Sequence, residues 1–253
     1  MKKSFAYYIR YELLNNLYNG YSFFFGAIFP TVLVVLIEKS ALKDLSGSIK
    51  LEAATSLVLG MGTIVPLATV FLGYAASYAN ELEKEIPSRL HLFGFSHQFI
   101  LLGKLVSNFI FLTGCFIIYI VPTLLFVSIE KPKSIVMPLT YIVFMYIFSA
   151  CLLILAHGIS NLIRKFGPTY GIVMGIYFGM MMLGGTMGVS ADSFPDKLQM
   201  ISKLLPNNQF AVNYIDFWVG RDYSIAPMIQ SLVTFGAIGI VVLLISFKVK
   251  GKN

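Results

Sequence analysis

The chain has 253 residues, of which 57% are hydrophobic and only 12% are charged, and its net charge is +7. This composition excludes an ordinary soluble globular protein, because long uncharged apolar runs of this kind belong in lipid. Nucleic-acid binding is not indicated either, since the lysines and arginines cluster at the ends of apolar runs and not on one soluble face. The sequence therefore predicts a multi-pass membrane protein surrounded by lipid.

The first 20 residues predict a helix that lies in the membrane interface. Apolar side chains recur there at helical spacing, at Phe5, Ile9, Leu13, Leu14 and Leu17. Polar residues fill the remaining positions, and an amphipathic helix of that kind lies along the headgroup layer. The same polar residues interrupt any early apolar core, so a cleavable signal peptide is not predicted. An ordinary charged leader is the alternative.

Six apolar runs are long enough to cross a hydrocarbon core. They cover residues 21–37, 53–78, 105–129, 135–163, 170–189 and 228–247. Pro30 is tolerated in the first span because neighbouring helices can satisfy the freed carbonyl, and Pro66 predicts a kink in the second. Cys115 and Cys151 lie inside the runs and indicate neither a disulfide nor a metal site. The prediction is one all-α transmembrane domain over residues 1–253.

Six spans place both termini on one side of the membrane, and the charges indicate which side this is. Eleven of the 19 lysines and arginines fall on the terminus side and eight on the other. Because positive charges are retained in the cytoplasm, the termini and the loop 81–104 are predicted to be cytoplasmic.

Two connecting segments are too distinctive to be simple tethers. Residues 81–104 are charged, broken by Pro87, and lie between the second and third spans. Such a segment must lie in water or against another protein. Residues 190–227 carry two apolar stripes separated by Pro206, the second of them rich in aromatic side chains. Because aromatic residues favour the headgroup layer, they predict an external hairpin of two short helices that re-enters the outer face. A loop folded on itself is the alternative.

A few small and polar residues stand out within the spans. His157 and Asn161 lie one turn apart in the fourth span. Polar groups in hydrocarbon face the bundle interior or a pore, so the two are candidates to line a transport path, and a hydrogen bond between helices is at least as well supported. Glycines at four-residue spacing in the fifth span, Gly171, Gly175 and Gly179, predict close helix packing.

The segment between the second and third spans resembles the membrane subunit of an ABC-2 type transporter. That family has Glu-x-Glu after the second span, then a Leu, a Pro or Gly and a Ser, and Gly-Lys at the start of the third. The corresponding residues are Glu81, Glu83, Leu90, Gly94, Ser96, Gly103 and Lys104. One departure is Glu85-Ile86-Pro87, where the family usually has Gly-Thr. A second match is to the family's external helical hairpin, at Phe194, Pro195, Leu198, Ile201, Leu205 and Pro206.

The resemblance implies the permease subunit of an ATP-driven exporter in a cell membrane, and a bacterial source is expected. A second permease, identical or paralogous, would complete the path for a hydrophobic or amphipathic substrate, such as a peptide, bacteriocin, toxin or drug-like compound. Two copies of an ATPase subunit would bind ATP and Mg²⁺, so this chain is expected to hold no cofactor and to catalyse no reaction. A coupling helix in the loop 81–104 would contact the ATPase through Glu81, Glu83, Arg89, Leu90, Leu92, Phe93, Phe95 and Lys104.

Two other functions are alternatives to an exporter permease. The chain has no G-x-x-x-x-G-K-[ST] phosphate loop, which agrees with a separate ATPase. An ion-coupled secondary transporter or channel normally has ionisable residues deep in its spans, and only His157 is a candidate. An intramembrane metalloprotease is a weaker alternative, suggested by the spacings Glu85…Arg89, Phe93…His97 and His157…Asn161. Lys84 stands where its paired glutamate is needed, and the first two motifs share one short loop.

Overall fold

The computed structural model describes residues 2–186 and 194–250, and in these ranges all regular structure is helical. In chain order the helices are α1 (Lys2–Tyr18), α2 (Gly20–Ser40), α3 (Gly47–Glu83), α4 (Ile86–Leu92), α5 (His97–Phe126), α6 (Val136–Ile163), α7 (Phe166–Leu183), α8 (Asp196–Leu204), α9 (residues 206–219) and α10 (Ala226–Lys250). Six of them, α2, α3, α5, α6, α7 and α10, are long and apolar enough to cross a membrane. The predicted all-α fold with six spans is confirmed.

The ends of the spans differ from the predicted ones. α3 continues to Glu83 and α5 already begins at His97, so both helices extend into the polar segment that was predicted as loop. Helical hydrogen bonding does not stop where hydropathy falls, because the charged residues at these ends find partners inside the protein. α7 ends at Leu183, well before the predicted residue 189. Residues 190–193 of the predicted hairpin lie outside the described residues.

Both prolines of the first two spans lie beside irregular helical turns. A proline ring clashes with the carbonyl four residues earlier and cannot donate to it. The residue four before Pro30 is Gly26, which lies within the π-helical segment Phe24–Ile28. The residue four before Pro66 is Gly62, where the α-helix breaks before resuming, and a π-helical segment, Leu67–Gly73, follows. The wider turns accommodate the prolines without ending either span.

α6 and α3 form the centre of the bundle. α6 packs against α10 along its length and against the second half of α3, while α1 packs along the start of α5. The largest fully buried side chains include Phe71 of α3 and Phe148 and Leu152 of α6. Around this core, the glycines predicted for close packing, Gly171, Gly175 and Gly179, meet no helix of the described chain: a Cβ added at any of them has no atom within 4 Å.

The segment after α7 contains two helices, α8 and α9, separated at Leu205, which is extended. The aromatic stripe of α9 is buried inside the protein at Phe210, Tyr214 and Trp218, and its place at the headgroup layer stays a prediction. Hydrogen bonds fix the segment there. Trp218 Nε1 donates to the carbonyl of Glu130 at 2.8 Å, and Asn207 Nδ2 donates to the carbonyl of Met180 at 2.6 Å. The second bond is an additional one to the Met180 carbonyl, which also accepts from the Gly184 N–H at 2.8 Å at the end of α7.

Candidate coupling loop and intramembrane cavity

A short helix, α4, occupies the loop between the second and third spans. It follows Glu85, whose φ of +57° is left-handed, and Pro87 occupies its first turn, where no N–H is needed. Glycine adopts the left-handed backbone conformation most easily. The Gly that is usual in the sequences this loop resembles would therefore suit the position of Glu85. Gly94, with φ +87°, ends the helix, and Ser96 caps α5 by accepting a hydrogen bond from the Phe99 N–H at 3.2 Å.

The tip of this loop exposes large apolar side chains. Leu92 is 87% exposed and Phe93 is 81% exposed, and Arg89 beside them is also exposed. Leu90 and Phe95 are partly buried, and the Phe95 ring packs against Phe99 at 5.3 Å. Two side chains of this size that extend from a polar loop form an apolar tip with no cover in the described chain.

Glu83 connects the loop to the next part of the bundle. Its Oε2 accepts a hydrogen bond from the backbone N–H of Phe166, the first residue of α7, at 2.7 Å. A carboxylate at this position satisfies a free N–H and also interacts favourably with the helix dipole. Glu83 therefore acts as a cap for the fifth span.

Glu81 and Lys104, both predicted to take part in ATPase coupling, lie in a buried ion triad with Glu12. Lys104 Nζ donates to both carboxylate oxygens of Glu12 at 2.9 Å and to Glu81 Oε1 at 2.6 Å. Lys104 is 3% exposed, Glu12 4% and Glu81 7%. The two charged ends of the loop thus meet each other and Glu12 of α1 inside the protein, and a role of Glu81 and Lys104 in coupling stays a prediction.

Gly103 explains why a glycine precedes the buried lysine. A Cβ at this position would lie 2.3 Å from Cδ1 of Tyr8, so only glycine lets α1 lie directly on α5. The Tyr8 ring also packs on Phe99 at 5.5 Å. Burial, together with the neighbouring Glu12 carboxylate, raises the pKa of the Tyr8 phenol, which therefore stays neutral. Both residues of the Gly-Lys pair therefore contact α1: Gly103 lets Tyr8 approach closely, and Lys104 forms an ion pair with Glu12.

His157 and Asn161 have contacts that join two spans. His157 Nδ1 lies 2.7 Å from the hydroxyl of Tyr74, and its ring stacks on Tyr78 at 4.6 Å. Asn161 Nδ2 donates to the His157 carbonyl within α6 at 3.0 Å. His157 was predicted either to line a path or to form a hydrogen bond between helices. The geometry shows such a bond, from α6 to α3. Lining a path stays a prediction for both residues.

A cavity of about 710 Å³ lies between the α1–α2 corner, the middle of α3 and α7. None of the lining residues that the structure describes is charged. Aromatic rings form much of the wall, and the polar groups are amides and hydroxyls, including Asn15, Asn19, Asn80, Ser22 and Ser77. Its chemistry suits an apolar or amphipathic molecule that offers a few hydrogen-bonding groups.

Two parts of this site could not be predicted from the sequence. Glu12 is 92 residues from Lys104, and no motif spacing connects them. The cavity residues come from helices that are distant in the chain, so no local pattern marks them. Glu12 falls three residues after Ile9, on the apolar stripe predicted for α1, and this placement is the one hint of its burial in the sequence.

Six spans, a helical loop with an exposed apolar tip and an uncharged cavity define a multi-pass membrane protein. A search of curated proteins gave no match. The model of one protein family, described as ABC-2 type transporter, matches residues 4–211. The chain belongs to this family of transporter membrane subunits. The family implies a permease that works with an ATPase partner, typically in a dimeric arrangement.

Proposed function

We propose that this chain is the permease half of an ATP-driven exporter and that α4 is its coupling helix. The observation that carries the proposal is the apolar tip of Leu92 and Phe93 on a loop of the terminus side. Burying side chains of this size in a partner's groove stabilises a complex by about 1.5–3 kcal/mol each. The charges on the same loop, Glu83, Lys84 and Arg89, orient the encounter.

In this proposal the terminus side is the cytoplasm, and two ATPase subunits dock there against two permeases. The ATPase subunits bind ATP and Mg²⁺, and this chain binds neither. The cavity between α2, α3 and α7 supports the transport role, because it is large enough for a drug-sized group or a few side chains of a peptide. Its uncharged aromatic wall favours hydrophobic and amphipathic substrates, including aromatic and cationic ones that interact with rings.

Co-purification of the chain with ATPase activity in mild detergent tests the proposal. The test variant is Phe93→Asp, which removes the apolar contact and forces a charge into the groove. We expect a loss of ATPase affinity of about a hundredfold or more, corresponding to roughly 3 kcal/mol. The control is Ser48→Asp, which adds the same charge to an exposed position at the start of α3, at the opposite end of that helix from the loop.

The control variant is expected to retain the partner nearly at the native level, because surface charges contribute little. A native chain that purifies alone under every detergent would contradict the whole proposal. Equal binding by the native chain and the Phe93→Asp variant would instead show that the ATPase docks elsewhere.

A further inference from the structure

We infer that Lys104 is a positioning residue that joins the coupling loop to the wall of the cavity, through Glu12 and Glu81. This inference rests on the proposed function, because it assigns the route by which movement of the loop reaches the transport path. It depends on three observations: the ion triad, the packing of α1 on α5, and the position of the cavity next to α1.

The triad pins three separate elements at one point. Glu81 stands where α3 leads into the loop, Lys104 stands in α5 just after the loop, and Glu12 belongs to α1. The single ammonium donates all three of its hydrogens, at 2.6–2.9 Å, to the two carboxylates. The two helices that carry the loop are thereby connected to each other and to α1.

Burial makes this joint behave as a unit. A buried charge that loses its partner is strongly destabilising, whereas a complete set of partners is tolerated. All three side chains are less than 10% exposed, so water cannot replace a lost partner. Motion of the loop is therefore expected to carry α1 with it, since separating them would leave charges unpaired inside the protein.

Packing beside the triad supports the same rigid connection. The Tyr8 ring lies against Gly103, next to the lysine. The Phe5 ring meets Phe99 edge-on at 5.2 Å. α1 thus packs against the beginning of α5 through apolar contacts over about two turns. The Lys104–Glu12 ion pair of the triad stabilises the end of that contact.

The far end of α1 forms part of the cavity. Asn15 and Tyr18 of α1 line it, one and two turns beyond Glu12, and Asn80, the neighbour of Glu81, lines it as well. A shift of α1 relative to α7 would therefore change the shape of the cavity. The triad therefore connects the position of the loop that faces the ATPase to the width of the substrate site. The connection runs from the loop through the triad to the end of α1 that lines the cavity.

The test compares three proteins in complex with the ATPase. The first is the native chain. The second is the neutral triad Glu12→Gln, Glu81→Gln, Lys104→Met, which removes the joint and leaves no buried charge unpaired, so that folding is preserved. The third is the control Glu38→Gln, Lys50→Met, which removes a different ion pair, Lys50–Glu38 at 2.9 Å, between the ends of α2 and α3 on the opposite side, and likewise leaves no buried charge unpaired.

A fluorophore on Tyr7→Cys, an exposed position of α1, reports the movement of that helix when ATP and vanadate trap the closed ATPase. The two native cysteines are buried and stay unlabelled. We expect the native chain and the control Glu38→Gln, Lys50→Met to show the same trapped signal. The neutral triad is expected to lose most of that signal while it still binds the ATPase. A purely structural role would leave that signal intact in any variant that folds and docks.

Hydrogen exchange on the permease alone gives a second measurement. Without the triad, exchange of residues 5–18 is expected to accelerate by roughly tenfold or more, while the core of α6 stays protected. An unchanged trapping signal or unchanged exchange in the neutral triad would overturn the inference and leave the proposed function intact. A native chain that binds no ATPase would overturn the proposed function, and exchange would then still decide whether the triad holds α1.

Discussion

Two glycines of α5 lie in opposite surroundings, and they show what a single atom decides at the residue scale. A Cβ at Gly103 would meet the Tyr8 ring at 2.3 Å, whereas a Cβ at Gly114 would meet nothing within 4 Å. Both residues are helical and both lie on the same helix. The difference therefore comes from α1 alone, which covers the first position and not the second.

Gly103→Ala is predicted to destabilise the protein by about 1–3 kcal/mol, because the added methyl group pushes α1 away from α5. The thermal midpoint in detergent micelles, together with the hydrogen exchange of α1, measures the effect. Gly114→Ala is the control and should be neutral or stabilising by up to about 1 kcal/mol, since alanine favours a helix. Equal effects of the two substitutions would show that α1 does not rest on α5 as described.

The hydroxyl of Tyr74 is the second residue whose effect can be isolated. Tyr74→Phe removes the hydrogen bond to His157 and retains the ring, so a loss of about 0.5–1.5 kcal/mol is expected. Tyr21→Phe is the control, because Tyr21 is a mostly exposed tyrosine of the same bundle. Both variants are compared by thermal midpoint. A neutral Tyr74→Phe variant would mean that the bond between α3 and α6 contributes nothing to stability.

At the scale of elements, α9 is held against α3 by a close approach of the two backbones. A Cβ at Gly60 of α3 would lie 2.8 Å from the Cβ and 3.0 Å from the Cα of Ala211. Ser56, one turn earlier, donates to the Ala211 carbonyl at 2.6 Å. The backbones of α3 and α9 are therefore in direct contact at this point. A side chain added at Gly60 would clash with backbone atoms, and no side-chain rotation could remove that clash.

Gly60→Ala is predicted to displace α9 and to cost about 1–3 kcal/mol of stability. Faster hydrogen exchange in residues 206–219 and a lower thermal midpoint are the expected readouts. Gly20→Ala, where a Cβ meets nothing within 4 Å, is the matched control. Unchanged exchange in α9 would contradict the packing of the hairpin against α3.

Hydropathy was enough to predict the elements, but not their partners. Six apolar runs became six spans because each must satisfy its own backbone in lipid, which is a local requirement. The burial of Trp218 and of Lys104 depends on contacts with Glu130 and Glu12, far away in the chain, so composition favoured surface positions for both. Loop 81–104 was located by its charge and Pro87, yet which of its residues are exposed required the fold.

At the scale of the whole molecule, the cavity is the feature to which helices from distant parts of the chain contribute together. Its wall is drawn from α1, α2, α3 and α7, so its shape depends on how these helices are arranged by the triad and by the cap of Glu83 on α7. The absence of charge among its described lining residues separates binding in the cavity from docking at the charged loop.

Ser77→Trp is predicted to fill the cavity and to abolish binding of a hydrophobic aromatic cation, with tetraphenylphosphonium as the probe. Ser77 lines the cavity from α3, and an indole at this position occupies space that the ligand needs. In the native chain, the probe at a hundredfold excess over its dissociation constant should stabilise the fold by about 2.7 kcal/mol. That shift in thermal midpoint should vanish in Ser77→Trp and persist in Leu125→Trp, a control on the outward face of α5. A native chain that gains no stability from the probe would show that the cavity does not accept aromatic cations. A shift that survives in Ser77→Trp would place the binding site elsewhere in the molecule.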